Sequence, residues 1–233
     1  MKAAWLTDIH LNFLKPKQLD AFLQSVSRQT TGCFFISGDI GESDSVVGYL
    51  EQMAAVLKRP IYFVLGNHDY YGSSIEEVRG RVAGLQKKDH LIWLNKVDFI
   101  SLTKETALVG HDSWADGRLG DFEWSSVELN DFRFIDELKT WDRADRLKAM
   151  QKLSDEAVEH LKRVLPMALK DHRHILVMNH VPPFKGACWH EGQQIPLATP
   201  SRAVSKAYER PFSGLIIIGV FIILRRQCES DNR

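Results

Sequence analysis

Ile61-Tyr62-Phe63-Val64-Leu65 runs directly into Gly66-Asn67-His68-Asp69-Tyr70-Tyr71, and this stretch decides the fold. Five apolar residues stopped by a glycine have the pattern of a buried strand closed by a turn. An amide, an imidazole and a carboxylate then leave the strand end in three consecutive positions. Polar groups cost free energy inside a core unless they are partnered, so such a strand end serves a site better than a core.

Other strands repeat the arrangement. Ala3 to Leu6 is read as a first strand and releases Thr7-Asp8-Ile9-His10; Cys33 to Ile36 is a second and ends in Ser37-Gly38-Asp39. Helices are expected between them. One is opened by Pro16, with Leu19, Phe22, Leu23 and Val26 on its apolar face; the next carries Val46, Val47, Leu50, Met53, Ala54 and Leu57. Ser74 and Glu77 form a capping box for a third helix, bearing Ile75, Val78, Val82 and Leu85. Strand and helix thus alternate, the α/β pattern, in which ligands gather at the carboxyl ends of the strands. After Lys88 the segments Leu91 to Leu94, Phe99 to Leu102 and Ala107 to Val109 follow too closely for helices, which predicts a second, mixed or antiparallel sheet packed on the first. A helix is predicted from Ser154, and Ile175 to Met178 is a further buried strand that ends in Asn179-His180.

Composition sets the outer bounds. With 233 residues, 44% apolar and 26% charged, the chain suits one sizeable globular domain. Thirty basic and thirty acidic residues balance, which favours neither nucleic acid nor an anionic membrane as partner. Cys33, Cys188 and Cys228 form no CxxC pair and one must stay unpaired, which favours a reducing, cytoplasmic setting. Asp8 comes too early for a signal peptide.

Gathered, the strand ends supply Asp8-x-His10, Gly38-Asp39, Gly66-Asn67-His68-Asp69 and Asn179-His180, an oxygen and nitrogen donor set without thiolate. It suits manganese, iron or zinc. Asp8 and His10, two apart on an extended segment, would project to one side and grip one ion. Asp39, with two oxygens, would bridge a pair. Each aspartate alone would be ordinary turn chemistry after a strand; the ordered series is what argues for a site.

That series resembles the calcineurin-like metallophosphoesterase superfamily, whose motifs run D-x-H, G-D, G-N-H-[DE], a later histidine, and then G-H-x-H. The likeness covers residues 8 to about 184. It implies a four-layer αββα sandwich, two mixed sheets flanked by helices, and a dinuclear site of manganese, iron or zinc. Asp8 and His10 would bind one metal, Asp39 would bridge, and Asn67 and His180 would bind the other. His68 would be the general acid or touch the phosphate, oriented by Asp69. The implied reaction is hydrolysis of a phosphomonoester or phosphodiester by a metal-bound hydroxide, with a small phosphoester as the expected substrate.

The final motif has no match, because the last histidine is His190. The domain is therefore bounded at residues 1–210, with a lid in 114–150, and 211–233 is read as an atypical apolar tail. A truncated or frameshifted C terminus is the expectation from this, with a catalytically impaired relative that only binds as the alternative. Gly214 to Leu224 is too short to span a membrane as a helix and is read as a buried strand. His111 is assigned a structural or substrate-side role. Trp189 and His190 are placed at the pocket mouth.

Overall fold

The computed structural model describes residues 1–87, 90–118, 122–125, 128–140 and 142–181, with 86 and 87 by backbone alone, and the backbone of four later strands. Strands β1 (Ala3–Leu6), β2 (Cys33–Ser37), β3 (Ile61–Val64) and β4 (Leu91–Trp93) form a parallel sheet in that order. Helices α1 (Pro16–Ser27), α2 (Val46–Leu57) and α3 (Ile75–Ala83) fall between them. The second sheet is mixed. It contains β5 (Ile100–Ser101), β6 (Thr106–His111) and β7 (His174–Asn179), with β6 and β7 parallel. Short α4 (Asp131–Phe134) and long α5 (Arg143–Asp171) connect β6 to β7.

Alternation of side chains along the strands builds the layers. On β2, Phe34 and Ile36 join the core shared with α1, α2 and α3, whereas Cys33 and Phe35 face the second sheet. On β7, Ile175 and Val177 pack on α5, whereas Leu176 and Met178 face the first sheet. Both faces of each strand are covered, so these segments read as continuous apolar runs. The stack is helix, sheet, sheet, helix, the four-layer sandwich expected, with one sheet wholly parallel and one mixed. Cys33 is buried.

Two elements depart from the sequence reading. The segment from Leu91, expected to open the second sheet, pairs parallel with β3 as the edge of the first. Helix α5 begins at Arg143, well before Ser154, because the Asp142 carboxylate accepts the Asp145 N–H as its N-cap. It then continues through Pro166, although proline gives no N–H to the helix. Its buried stripe, Ala157, Leu161, Val164 and Ala168, carries it across that break by packing on the sheet.

The apolar tail supplies strands β10 (Ile216–Ile218) and β11 (Phe221–Arg225), and β11 pairs antiparallel with β7 from Phe221↔Met178 to Arg225↔His174. Strands β8 (Trp189–His190) and β9 (Gln193–Gln194) pair with each other. The side chains of Trp189 and His190, and the residues Trp141, Cys188 and Cys228, lie outside the described residues. Among the described residues no helix is long and apolar enough to cross a membrane.

Candidate metal centre

Parallel strands within each sheet send their carboxyl ends to one edge, and Asp8, His10, Asp39, Asn67, His68 and His180 meet there. Asp39 is at the centre. Its Oδ2 lies 3.7 Å from His10 Nε2 and 4.0 Å from His68 Nε2, and its Oδ1 lies 3.5 Å from His180 Nε2. Hydrogen bonds of this kind close to about 2.7–3.2 Å, so these groups converge without bonding one another. Donors about 2.0–2.2 Å from a common ion are spaced in this way.

The donors fall into two groups that share Asp39: His10, Asp39 and His68, and Asp8, Asp39 and His180, each with its ligand atoms within 4.8 Å of one another. The Asn67 Oδ1 lies 3.1 Å from His180 Nε2, beside the second group. His10 also keeps a buried Nδ1 that meets no hydrogen-bond partner among the described residues. A carboxylate common to both groups, three imidazoles gathered around it and an amide oxygen fit a pair of borderline-hard ions.

Asp8 and His10 were expected to share an ion, and the structure separates them into different groups. The reason is backbone conformation. Asp8 and His10 have φ of 51° and 39°, so the segment is a tight left-handed turn and the two-residue alternation of an extended strand does not apply. Asp39 shares the conformation, at φ 53°. Backbone bonds from Asp8 N–H to the Gly38 carbonyl and from His10 N–H to the Asp39 carbonyl lace the two strand ends together.

Glycine is required at two places in this lacing. A Cβ on Gly66 would lie 2.1 Å from Asp39 Oδ1, and one on Gly38 would lie 2.6 Å from His180 Nδ1. The His180 Nδ1 is 2.8 Å from the Ser37 carbonyl oxygen, which leaves Nε2 turned toward Asp39. Burial, the largest single influence, lowers the His180 pKa; the Asp39 carboxylate, the Ser37 carbonyl, Asp8 and Asp69 together outweigh it and raise the pKa.

Asp69 does not orient His68 as the sequence suggested. Its Oδ1 accepts the N–H groups of Ile40 and Gly41 at 2.8 and 2.9 Å, and its Oδ2 accepts that of Gly66 at 2.9 Å. Successive residues on the short 3-10 turn His68–Tyr70 point in different directions, so Asp69 turns into the interior while His68 turns toward the cleft. Burial, then the charge of Asp39, lifts the Asp69 carboxyl to about 7, against three N–H groups that favour the carboxylate. Its role here is to hold the loops after β2 and β3 in register.

His111 is buried away from the cleft. Its ring is 5.3 Å from that of His160 on α5, and its Nδ1 accepts the Ser113 N–H at 3.0 Å. This is the structural alternative for that residue. Its neighbour Asp112, not singled out from sequence, accepts from Leu65 N–H, Trp93 Nε1, Asn95 Nδ2 and the Tyr70 hydroxyl, all within 2.9 Å. That carboxylate fastens the second sheet to the end of β3 just before Gly66.

A cleft of about 480 Å³ opens beside the donors, lined by Asn67, His68, Tyr71, His180, Trp114, Leu129 and Asp131 among others. The His68 ring packs 4.3 Å from that of Tyr71 and meets that of His10 edge-on at 4.8 Å.

A family model described as calcineurin-like phosphoesterase matches residues 1–203. The chain belongs to that family and is, at that level, a metal-dependent phosphoesterase. Among solved structures it is similar to phosphopantetheinyl hydrolase from Mycobacterium tuberculosis, with 12% identity, 84% of this chain and 72% of that chain covered, and a TM-score of 0.56. A dimetal phosphatase from Danio rerio is similar at 16% identity, with 89% and 77% covered and a TM-score of 0.49. No curated protein matches the sequence. At such identities the first likeness speaks for the fold alone.

Proposed function

We propose that the chain hydrolyses a small phosphoester, monoester or diester, with two ions of manganese, iron or zinc held at the shared carboxylate. What carries this reading is the convergence of three imidazoles on Asp39 at 3.5 to 4.0 Å, inside a family of phosphoesterases. Two ions so held supply a water acidic enough to act as nucleophile near neutral pH and neutralise charge on the phosphoryl oxygens.

The chain's own residues do the rest. Asp8 and His180, with Asn67 beside them, define one end of the centre, and His10 defines the other. His68 lines the cleft, where an imidazole can bind a phosphoryl oxygen or pass a proton to the departing alkoxide. The body of the leaving group would lie along Trp114, Tyr71 and Leu129, and the cleft volume suits a small molecule.

The test is hydrolysis of an aryl phosphate with added manganese, beside Asp39→Asn. The expected result is turnover that falls by about two orders of magnitude or more in the variant, which loses one charge from the shared donor. Turnover that survives in Asp39→Asn would overturn the reading. The absence of G-H-x-H from these 233 residues favours a second reading, a relative that binds without turning over. Ion binding with no turnover of aryl monoesters or diesters would favour it.

A further inference from the structure

We propose that Asp131, together with Tyr71, is a positioning residue that fixes the Asn67 amide with its oxygen toward the metal centre. The inference rests on the reading above that the Asn67 oxygen is a metal donor.

The two ends of an asparagine amide have nearly the same shape but opposite hydrogen-bonding character. Only the oxygen end can face a cation, so something must choose the orientation. Asn67 Nδ2 donates to Asp131 Oδ1 at 2.8 Å and to the Tyr71 hydroxyl at 3.2 Å. The Tyr71 hydroxyl in turn donates to the same Asp131 Oδ1 at 2.7 Å. An ionised carboxylate only accepts, so a flipped amide would set oxygen against oxygen. The orientation that satisfies Nδ2 leaves Asn67 Oδ1 on the side of His180, 3.1 Å from its Nε2.

The clamp is itself held. Asp131 is buried on α4, and α4 and the turn after it are tied to the loop after Tyr71 by the bonds Gly72 N–H to Phe134 carbonyl and Asp136 N–H to Ser73 carbonyl. The Tyr71 ring also packs on His68, which couples both ends of the loop to one carboxylate. Partners that orient a ligand in this way typically matter by about 10–100-fold in metal affinity.

The experiment is manganese titration, by calorimetry and by the spin-resonance signal of the free ion, on the full chain and on Asn67→Ala, Asp131→Ala, Asp131→Asn and Tyr71→Phe, with melting of each metal-free protein. The expected result is two ions on the wild type and one weakened in Asn67→Ala. Asp131→Ala is expected to weaken the same ion by about 10–100-fold and Asp131→Asn by roughly threefold to tenfold, since its amide oxygen still accepts. Loss of one ion in Asn67→Ala with wild-type affinity for both in Asp131→Ala would overturn the inference and leave the metal site standing. Two undiminished ions in Asn67→Ala would overturn the ligand assignment and the inference with it. Should Asp131→Ala not fold, wild-type affinity in Asp131→Asn overturns the inference.

Discussion

Asp69→Asn changes one buried acceptor into a donor and leaves the volume of the side chain almost unaltered. In the wild type the two Asp69 oxygens accept three backbone N–H groups, from Ile40, Gly41 and Gly66, at 2.8 to 2.9 Å. An asparagine can keep its oxygen on Ile40 and Gly41, but its NH₂ then faces the Gly66 N–H. One buried donor left unpaired costs about 1–3 kcal/mol. For a chain of this size each kcal/mol moves the melting temperature by roughly 2–4 °C, so the expected fall is about 2–12 °C. Asp69→Ala would strand all three donors, about 3–9 kcal/mol at the outside, comparable with the whole stability of an ordinary domain. Asparagine is therefore the informative change. Thermal unfolding of the metal-free protein by circular dichroism measures it. An unchanged melting temperature would refute the bracing role assigned to Asp69.

Two further outcomes follow from the same geometry. Gly66→Ala should lose both metal binding and stability, because its Cβ would sit 2.1 Å from Oδ1 of Asp39, the carboxylate both donor groups share, and 2.6 Å from the Asp39 backbone nitrogen; elemental analysis beside a melting curve measures the two effects. Acid should destabilise the protein through His111 and His160. Burial, foremost, lowers both below the ordinary 6.5, so the folded state keeps them neutral while the unfolded chain takes up protons. That stability is present above about pH 6.5 and is lost as pH falls below it, at up to about 1.4 kcal/mol per pH unit for each histidine. Urea unfolding between pH 5 and 7 should show a shallower pH slope in His111→Gln than in the wild type, and equal slopes would contradict the assignment.

The strands and their polar ends were legible in the sequence because burial on both faces leaves an unbroken apolar run, and the residue after the run is then conspicuous. Asp39, Asn67, His68 and His180, which the structure brings together, stand out by that signal. Other features left no local trace. Aspartate and histidine do not announce a left-handed conformation as glycine does, so the turn that separates Asp8 from His10 was read as extended. Sequence adjacency paired His68 with Asp69, whereas the short 3-10 turn sends them to opposite sides. The first turns of α5, Arg143 to Leu153, are rich in charge, which hid a helix that Asp142 caps. Asp131 reaches Asn67 from 64 positions away, a contact only the folded chain can reveal.

The most direct test of the central claim, that Asp39 is shared by two metal donor groups, is the number of ions per chain after the purified protein is loaded with manganese and dialysed. Two ions per wild-type chain, falling below two in Asp39→Asn, is the result the structure predicts. A wild-type chain that retains no ion, or an Asp39→Asn chain that still retains two, would contradict it.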